Sequence, residues 1–340
     1  MSLDGALRRR QFLSLLASLF SFIFLGCIDK RGKEDIIKEG FDVANSKVYI
    51  IKTNDRRSGI QELLQQFDLG VLSGKRIGIK ANYNSADTFP ASTHVDTLST
   101  IITSLQEHGA EVVLAERSGM GNTGNVLQET GVSGLAAELD FAIVVLDDSP
   151  GSEWIRETGS HWKRGFMFSR VFRDVDAIIQ TCCLKTHRYG GHFTMSLKNS
   201  VGMVAKFDPE DGYNYMSELH SSRHQRSMIA EINMAYEPEF VIMDALQGFS
   251  HGGPDTGTLI DPGIMIASKD RVALDAVGVS ILRIYGTTDE VSKGAIFQQD
   301  QIARAVELGL GASGPDEIDV VAVNTEAQEI CSKIEIMLKK

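Results

Sequence analysis

Cysteine is scarce. Four in 340 residues cannot supply the dense cross-linking of a disulfide scaffold. Basic charge is in deficit as well: 34 Lys+Arg against 45 Asp+Glu gives a formal net charge of −11. That excludes nucleic-acid binding driven by electrostatics, which needs a basic face to displace counterions. Hydrophobic residues make up 43% and charged residues 23%, values that exclude both wholesale disorder and a multi-span membrane protein. No internal repeat, P-loop or HExxH occurs, so the usual signatures of nucleotide and zincin-type sites are missing. GMGNTG at 119–124 has the GxGxxG spacing, but a lone run of this kind is a weak signal and is discounted. The length is ample for a substantial core.

What is present begins with an address. Residues 1–27 place Arg8, Arg9 and Arg10 before an uncharged apolar run from Phe12 to Gly26, the layout of a secretory signal. Arg9-Arg10-Gln11-Phe12-Leu13 resembles a twin-arginine export motif. Phe24-Leu25-Gly26-Cys27 resembles a bacterial lipobox, with Cys27 as the expected lipidation site. Residues 28–46 then form a charged tether, and residues 47–340 a single domain. The expected location is periplasmic or cell-surface, with the membrane reached through the lipid anchor. An uncleaved N-terminal anchor helix is the alternative, although the run is shorter than the roughly 20 residues that span a bilayer comfortably.

From residue 47, apolar β-branched runs alternate with amphipathic stretches. Strands are expected at 47–53, 75–80, 110–116, 141–148, 175–187, 239–245, 263–270 and 318–324. Helices are expected after residue 59 (with Ile60, Leu63, Leu64 and Phe67 on one face), at 94–109, 272–286 and 301–311, and at the C-terminus. Continuous apolar strands separated by helices predict an α/β fold with a mostly parallel sheet covered on both faces. The stretch 187–238 is polar, His-rich and without a clear strand, and is expected to run over the carboxyl edge of the sheet.

Ligands of open α/β sheets bind beyond the carboxyl ends of the strands. Lys80, followed by Asn82 and Asn84, ends one apolar run, and Lys185, Thr186 and His187 end another. An ammonium there needs an anion, either a ligand or Asp147, Asp148 or Asp244. Glu116 and Asp270 are expected as helix caps or turn residues. The segment 184–204 gathers Lys185, His187, Arg188, His192, Thr194, Ser196, Lys198 and Asn199 among glycines, a composition suited to a carboxylate or phosphate. Trp154 and Trp162 are open to either a pocket or a packing role, and Met195, Met203, Met216, Met228 and Met234 read as core filling.

KANYN at 80–84, LKTH at 184–187, LKNSVGMV at 197–204, MDA at 243–245, GPDTG at 253–257 and KDRVALDAVG at 269–278 resemble, in order, the domain of unknown function 362 family over residues 76–285. Many of that family carry ferredoxin-type cysteine clusters. This chain has no CxxCxxC run, and adjacent strand residues Cys182 and Cys183 point to opposite faces, so no iron–sulfur cluster is expected from it. The family is also distantly similar to nickel-pincer lactate racemases, which pair Lys and His groups around nickel; this is a fold-level analogy.

Five of the eight histidines lie between 187 and 251: His187, His192, His220, His224 and His251. They are candidates for proton transfer or for a transition-metal shell completed by Asp244. The expectation is an enzyme acting on a small anion, an organic acid or phosphorylated compound. Lys185, His187 and Lys198 are the catalytic candidates, and Lys80, Asn82, Thr186 and Asn199 the substrate-binding ones. His187, His220 and Asp244 are the metal candidates. A redox step would need an external cofactor or a redox partner protein. A non-catalytic solute- or metal-binding lipoprotein is the alternative.

Overall fold

A computed structural model describes residues 45–340. The signal, the lipidation site Cys27 and nearly all of the tether lie outside the described residues. Among those described, no helix is long and apolar enough to cross a membrane.

The chain enters as β1 (Ser46–Lys52), followed by α1 (Arg56–Leu64), whose first turn is capped by the Asp55 carboxylate accepting from the amides of Arg57 and Ser58. Next come β2 (Arg76–Lys80), α2 (Val95–Glu107), β3 (Glu111–Glu116), α3 (Thr123–Glu129), α4 (Val132–Leu139) and β4 (Ala142–Val145). A small hairpin, β5 (Trp154–Glu157) with β6 (Phe166–Ser169), and a short α5 (Val171–Asp174) precede the long β7 (Ala177–His187) and β8 (His192–Phe193). Then α6 (Ser196–Asn199), α7 (Tyr215–Ser221) and α8 (Gln225–Ile232) lead to β9 (Phe240–Gly252), β10 (Gly257–Ile260) and β11 (Ile264–Ser268). The rest is α9 (Arg271–Tyr285), α10 (Asp289–Ser292), α11 (Asp300–Glu307), β12 (Ile318–Ala322) and α12 (Gln328–Leu338). The expected strands and helices are thus present, several of them shorter by one to four residues and β9 longer. The hairpin β5–β6 is additional.

The main sheet runs β12-β1-β11-β9-β7-β2-β3-β4, and along it only β11 is antiparallel to its neighbours. Period-two alternation divides the apolar side chains between two covers. Phe240, Ile242, Met265 and Ala267 face a layer with Ile60, Leu63, Leu98 and Ile101 from α1 and α2. Val241, Met243, Ile264 and Ile266 face a layer with Val272, Ala276 and Val279 from α9. From β2 the chain proceeds outward to β3 and β4, then returns to the other side of β2 as β7 and continues to β9. The connections after β2 and β7 therefore diverge, opening a crevice between the two strand ends. Lys80 closes β2 and Lys185 lies near the end of β7.

The segment 187–238 does cross that edge, but it is far from a solvated excursion. Phe193, Met195, Leu197, Met203, Tyr215, Leu219, Met228, Ile229 and Ile232 are all buried. Short helices interrupted by turns hide this apolar content from a search for strand or long-helix periodicity. Trp154 and Trp162 are buried in the cluster that this segment forms with β5 and β6. Met195, Met203 and Met228 fill core, while Met234 is exposed.

One buried carboxylate fixes the turn that carries Lys198 and Asn199. Asp275, in the middle of α9, accepts from the amides of Ser196 at 2.8 Å and Leu197 at 3.0 Å. Asp275→Ala leaves both buried donors bare, and an unpaired buried group costs about 1–3 kcal/mol. An unfolding free energy lower by at least about 2 kcal/mol, with a lower midpoint and an unchanged m-value, is expected in urea titrations.

Candidate functional site

Above the crevice lies a cleft of about 360 Å³. Seven of the nine catalytic, substrate-binding and metal candidates line it: Lys80, Asn82, Lys185, His187, Lys198, Asn199 and His220. Arg117, Glu116, Tyr83 and Met216 join them.

The floor is a buried ion pair. Lys80 Nζ donates to Glu116 Oε1 at 2.5 Å and to Asn199 Oδ1 at 3.3 Å, and both charged side chains are about 1% exposed. Glu116 also accepts from the amides of Arg117 and Tyr83. Burial pushes the Glu116 carboxyl up and the Lys80 ammonium down, and their pairing opposes both shifts. This corrects the expectation of Glu116 as a cap or turn residue: β3 delivers it one strand over from Lys80, where it neutralises the buried amine. Asp270 does cap α9, accepting from the amides of Val272 and Ala273.

The other cations find no such partner. Lys185 Nζ donates to Asn82 Oδ1 at 2.7 Å and to the Ala91 carbonyl, and burial lowers its ammonium. Arg117 is 3% exposed and donates to the Val201 carbonyl, while its Nε has no partner among the described residues. Burial pulls Arg117 down to about 10. Lys198 has neither a hydrogen-bond nor an ion-pair partner among the described residues. Burial first, then repulsion from Lys185 and Arg117, lowers it to about 7.

The two imidazoles carry opposite tautomers, as assigned from their hydrogen bonds. His187 Nδ1 accepts from the Gly191 amide at 3.3 Å, so Nε2 bears the proton. His220 Nδ1 lies 2.7 Å from the Met216 carbonyl and must donate to it, which leaves Nε2 bare. Burial and the nearby cations lower both, so both are neutral at pH 7.

Thr186 and Asp244 are not brought to the cleft. The Thr186 hydroxyl bonds to the carbonyls of Phe249 and Gly252 and fastens β7 to β9. The Asp244 carboxylate is held by Arg56 at 2.6 Å and Thr97 at 2.7 Å, so it does not complete a shell with His187 and His220. Among the described residues no three His, Cys, Asp or Glu side chains converge as a metal shell would require. The two cleft imidazoles sit among cations, which repel a divalent metal. The donor set does not fit a metal centre. His224 packs against the ring of His161 instead, at 4.7 Å between centroids. Cys182, Cys183 and Cys331 are buried.

Arg117 escaped the sequence search because it follows a strand-ending Glu in a glycine-rich loop, where a solvated role is the default. The usable signal was its position, one residue past a strand end beside the crevice. Gly202 lies just as close to the floor: a Cβ there would sit 2.7 Å from Lys80 Cε and 3.0 Å from Glu116 Oε1. Gly202→Ala must therefore displace the pair. Overpacking of this kind costs about 1–3 kcal/mol, and a lower melting temperature by calorimetry is the expected outcome.

The model of a family described as "Domain of unknown function (DUF362)" matches residues 77–280. "Thylakoid-associated protein sll1697" of Synechocystis sp. is 24% identical over 251 residues, covering 73% of this chain and 74% of that protein. The lactate racemase apoprotein from Thermoanaerobacterium thermosaccharolyticum aligns with a TM-score of 0.39 and 13% identity, over 67% of this chain and 55% of that one. This chain thus spans about half of the racemase, a likeness too slight to bear on chemistry.

Proposed function

The chain belongs to the DUF362 family, and we propose that its cleft binds a small organic or phosphorylated anion and transfers protons on it. One observation carries this: among the described residues, Arg117, Lys185 and Lys198 line one cleft without a carboxylate bonded to any of them, while the one carboxylate lining it, Glu116, is bonded to Lys80. Arg117 and Lys185 are buried and Lys198 is half-buried beside them; buried charge without a counter-charge is costly, and an anionic ligand supplies what is missing. Guanidinium and ammonium groups bind carboxylate and phosphate through charge-assisted hydrogen bonds. The imidazole pair adds a donor and an acceptor at neutral pH, the equipment for general acid–base chemistry.

Thermal-shift titrations with small carboxylates and with inorganic phosphate test this. At least one anion is expected to raise the melting temperature of the wild type but not of Lys185→Met; stabilisation by none of them would end the proposal. The charge of Lys198 is present below about pH 7 and lost above it. Anion affinity therefore falls between pH 6 and pH 8, by at most about tenfold per unit, and this dependence flattens in Lys198→Met. A variant series that loses affinity but shows no turnover in the wild type would favour solute capture over catalysis.

Export and anchoring belong to the same proposal, supported by the twin-arginine-like run and the lipobox-like end at Cys27. The body would then lie outside the cytoplasm, against a membrane held by acyl chains. Cys27→Ala is expected to move the protein from the membrane to the soluble fraction. Membrane retention of that variant would point to an uncleaved anchor helix.

A further inference from the structure

The three cleft lysines are not chemically equivalent. Lys80 Nζ is engaged by Glu116 and Asn199, and Lys185 Nζ by Asn82 and the Ala91 carbonyl. Oxygen acceptors around an amine favour its protonated, non-nucleophilic form. Lys198 has no acceptor among the described residues and stands near two other cations, so its nitrogen keeps a free lone pair near neutral pH. Desolvation beside a second cation is how an amine is activated for addition to a carbonyl. Gly191 leaves room for it: a Cβ there would lie 3.1 Å from Lys198 Cε.

Resting on the anion-binding cleft proposed above, we propose that Lys198 forms an imine with a 2-oxo acid whose carboxylate is held by Lys185 and Arg117. The Lys198 lone pair attacks the ketone carbon and a C–N bond forms. The carbonyl oxygen accepts a hydrogen bond from His187 Nε2–H as charge builds on it. Both amine hydrogens pass to that oxygen one at a time through the bare Nε2 of His220. The C–O bond then breaks, water leaves, and a neutral imine remains. The cleft lining also includes Met120, Tyr189, Met216 and Pro254, with Met120 and Tyr189 exposed. The substrate beyond its 2-oxo group is accordingly apolar.

Reductive trapping tests this directly on the intact protein. Phenylpyruvate with sodium cyanoborohydride delivers hydride to the imine carbon and fixes a secondary amine, located by peptide mass mapping. The expected result is one adduct per chain, on Lys198, suppressed by oxalate, which has the carboxylates but no ketone. At saturating phenylpyruvate, trapping should rise about tenfold from pH 6 to pH 8 as Lys198 loses its proton, and vanish in Lys198→Arg. An adduct on Lys185, on Lys80 or scattered over surface lysines overturns the imine. So does the absence of any adduct: if oxalate, another small carboxylate or phosphate still stabilises the protein, the anion cleft survives that result, and if none does, both proposals fall. Mapping on the wild type needs no variant, so misfolding of Lys198→Arg cannot obscure the outcome.

Discussion

At the end of β2 the Lys80 ammonium is carried out of water, and an ion there must be paired or lose its charge. The Glu116 carboxylate, delivered by the neighbouring parallel strand, lies 2.5 Å away and is itself held by two backbone amides. Removing one partner of such a pair is far more damaging than replacing both. Its place in the fold gives it wider reach. Asn199 joins the Lys80 amine to the carbonyl of Thr181 on β7, and Gly202 leaves space for the pair beneath the loop. The ion pair thus ties β2, β3, β7 and the α6 turn together, and the rest of the cleft is built on that junction.

Because Glu116 is committed to Lys80, it has little to offer the remaining cations. Arg117 leaves the same strand end and, among the described residues, bonds only to neutral groups, and Lys185 and Lys198 rise from β7 and α6. Arg117 and Lys185 are buried to within a few per cent, where water can do little to screen them from each other. Folding brings like charges together here in spite of their repulsion, and the surrounding core must meet that cost. Strain of this kind collects at functional sites. A net positive cleft in a protein with a formal charge of −11 also concentrates attraction for anions at one place on an otherwise acidic body.

The imidazoles show how backbone geometry assigns chemistry. His187 and His220 have the same intrinsic acidity, yet one meets an amide N–H and the other a carbonyl. Their protons are therefore fixed on opposite ring nitrogens. Asp244 shows the converse. It closes a strand-like run just as Lys80 does, but Arg56 from α1 and Thr97 from α2 reach it first. It serves to join those helices to the sheet on the other side from the cleft loops.

Alternating apolar runs and amphipathic stretches were enough to specify the α/β class, most of the strands, and the clustering of lysines at strand ends, because periodicity and local charge are properties of neighbouring residues. The family motifs likewise pointed to Lys80, Lys185, Lys198 and Asn199. Strand order was not legible, since nothing local distinguishes β7 returning beside β2 from β7 continuing past β4. That order decided where the crevice opens, that Glu116 is an ion-pair partner, that Arg117 lines the cleft and Thr186 does not, and that His187 and His220 reach it while His224 does not. Pairings between residues 36 to 188 positions apart, such as Lys80–Glu116 and Arg56–Asp244, exist only once the sheet has closed, and they alone determine which charges are neutralised and which are left for a ligand.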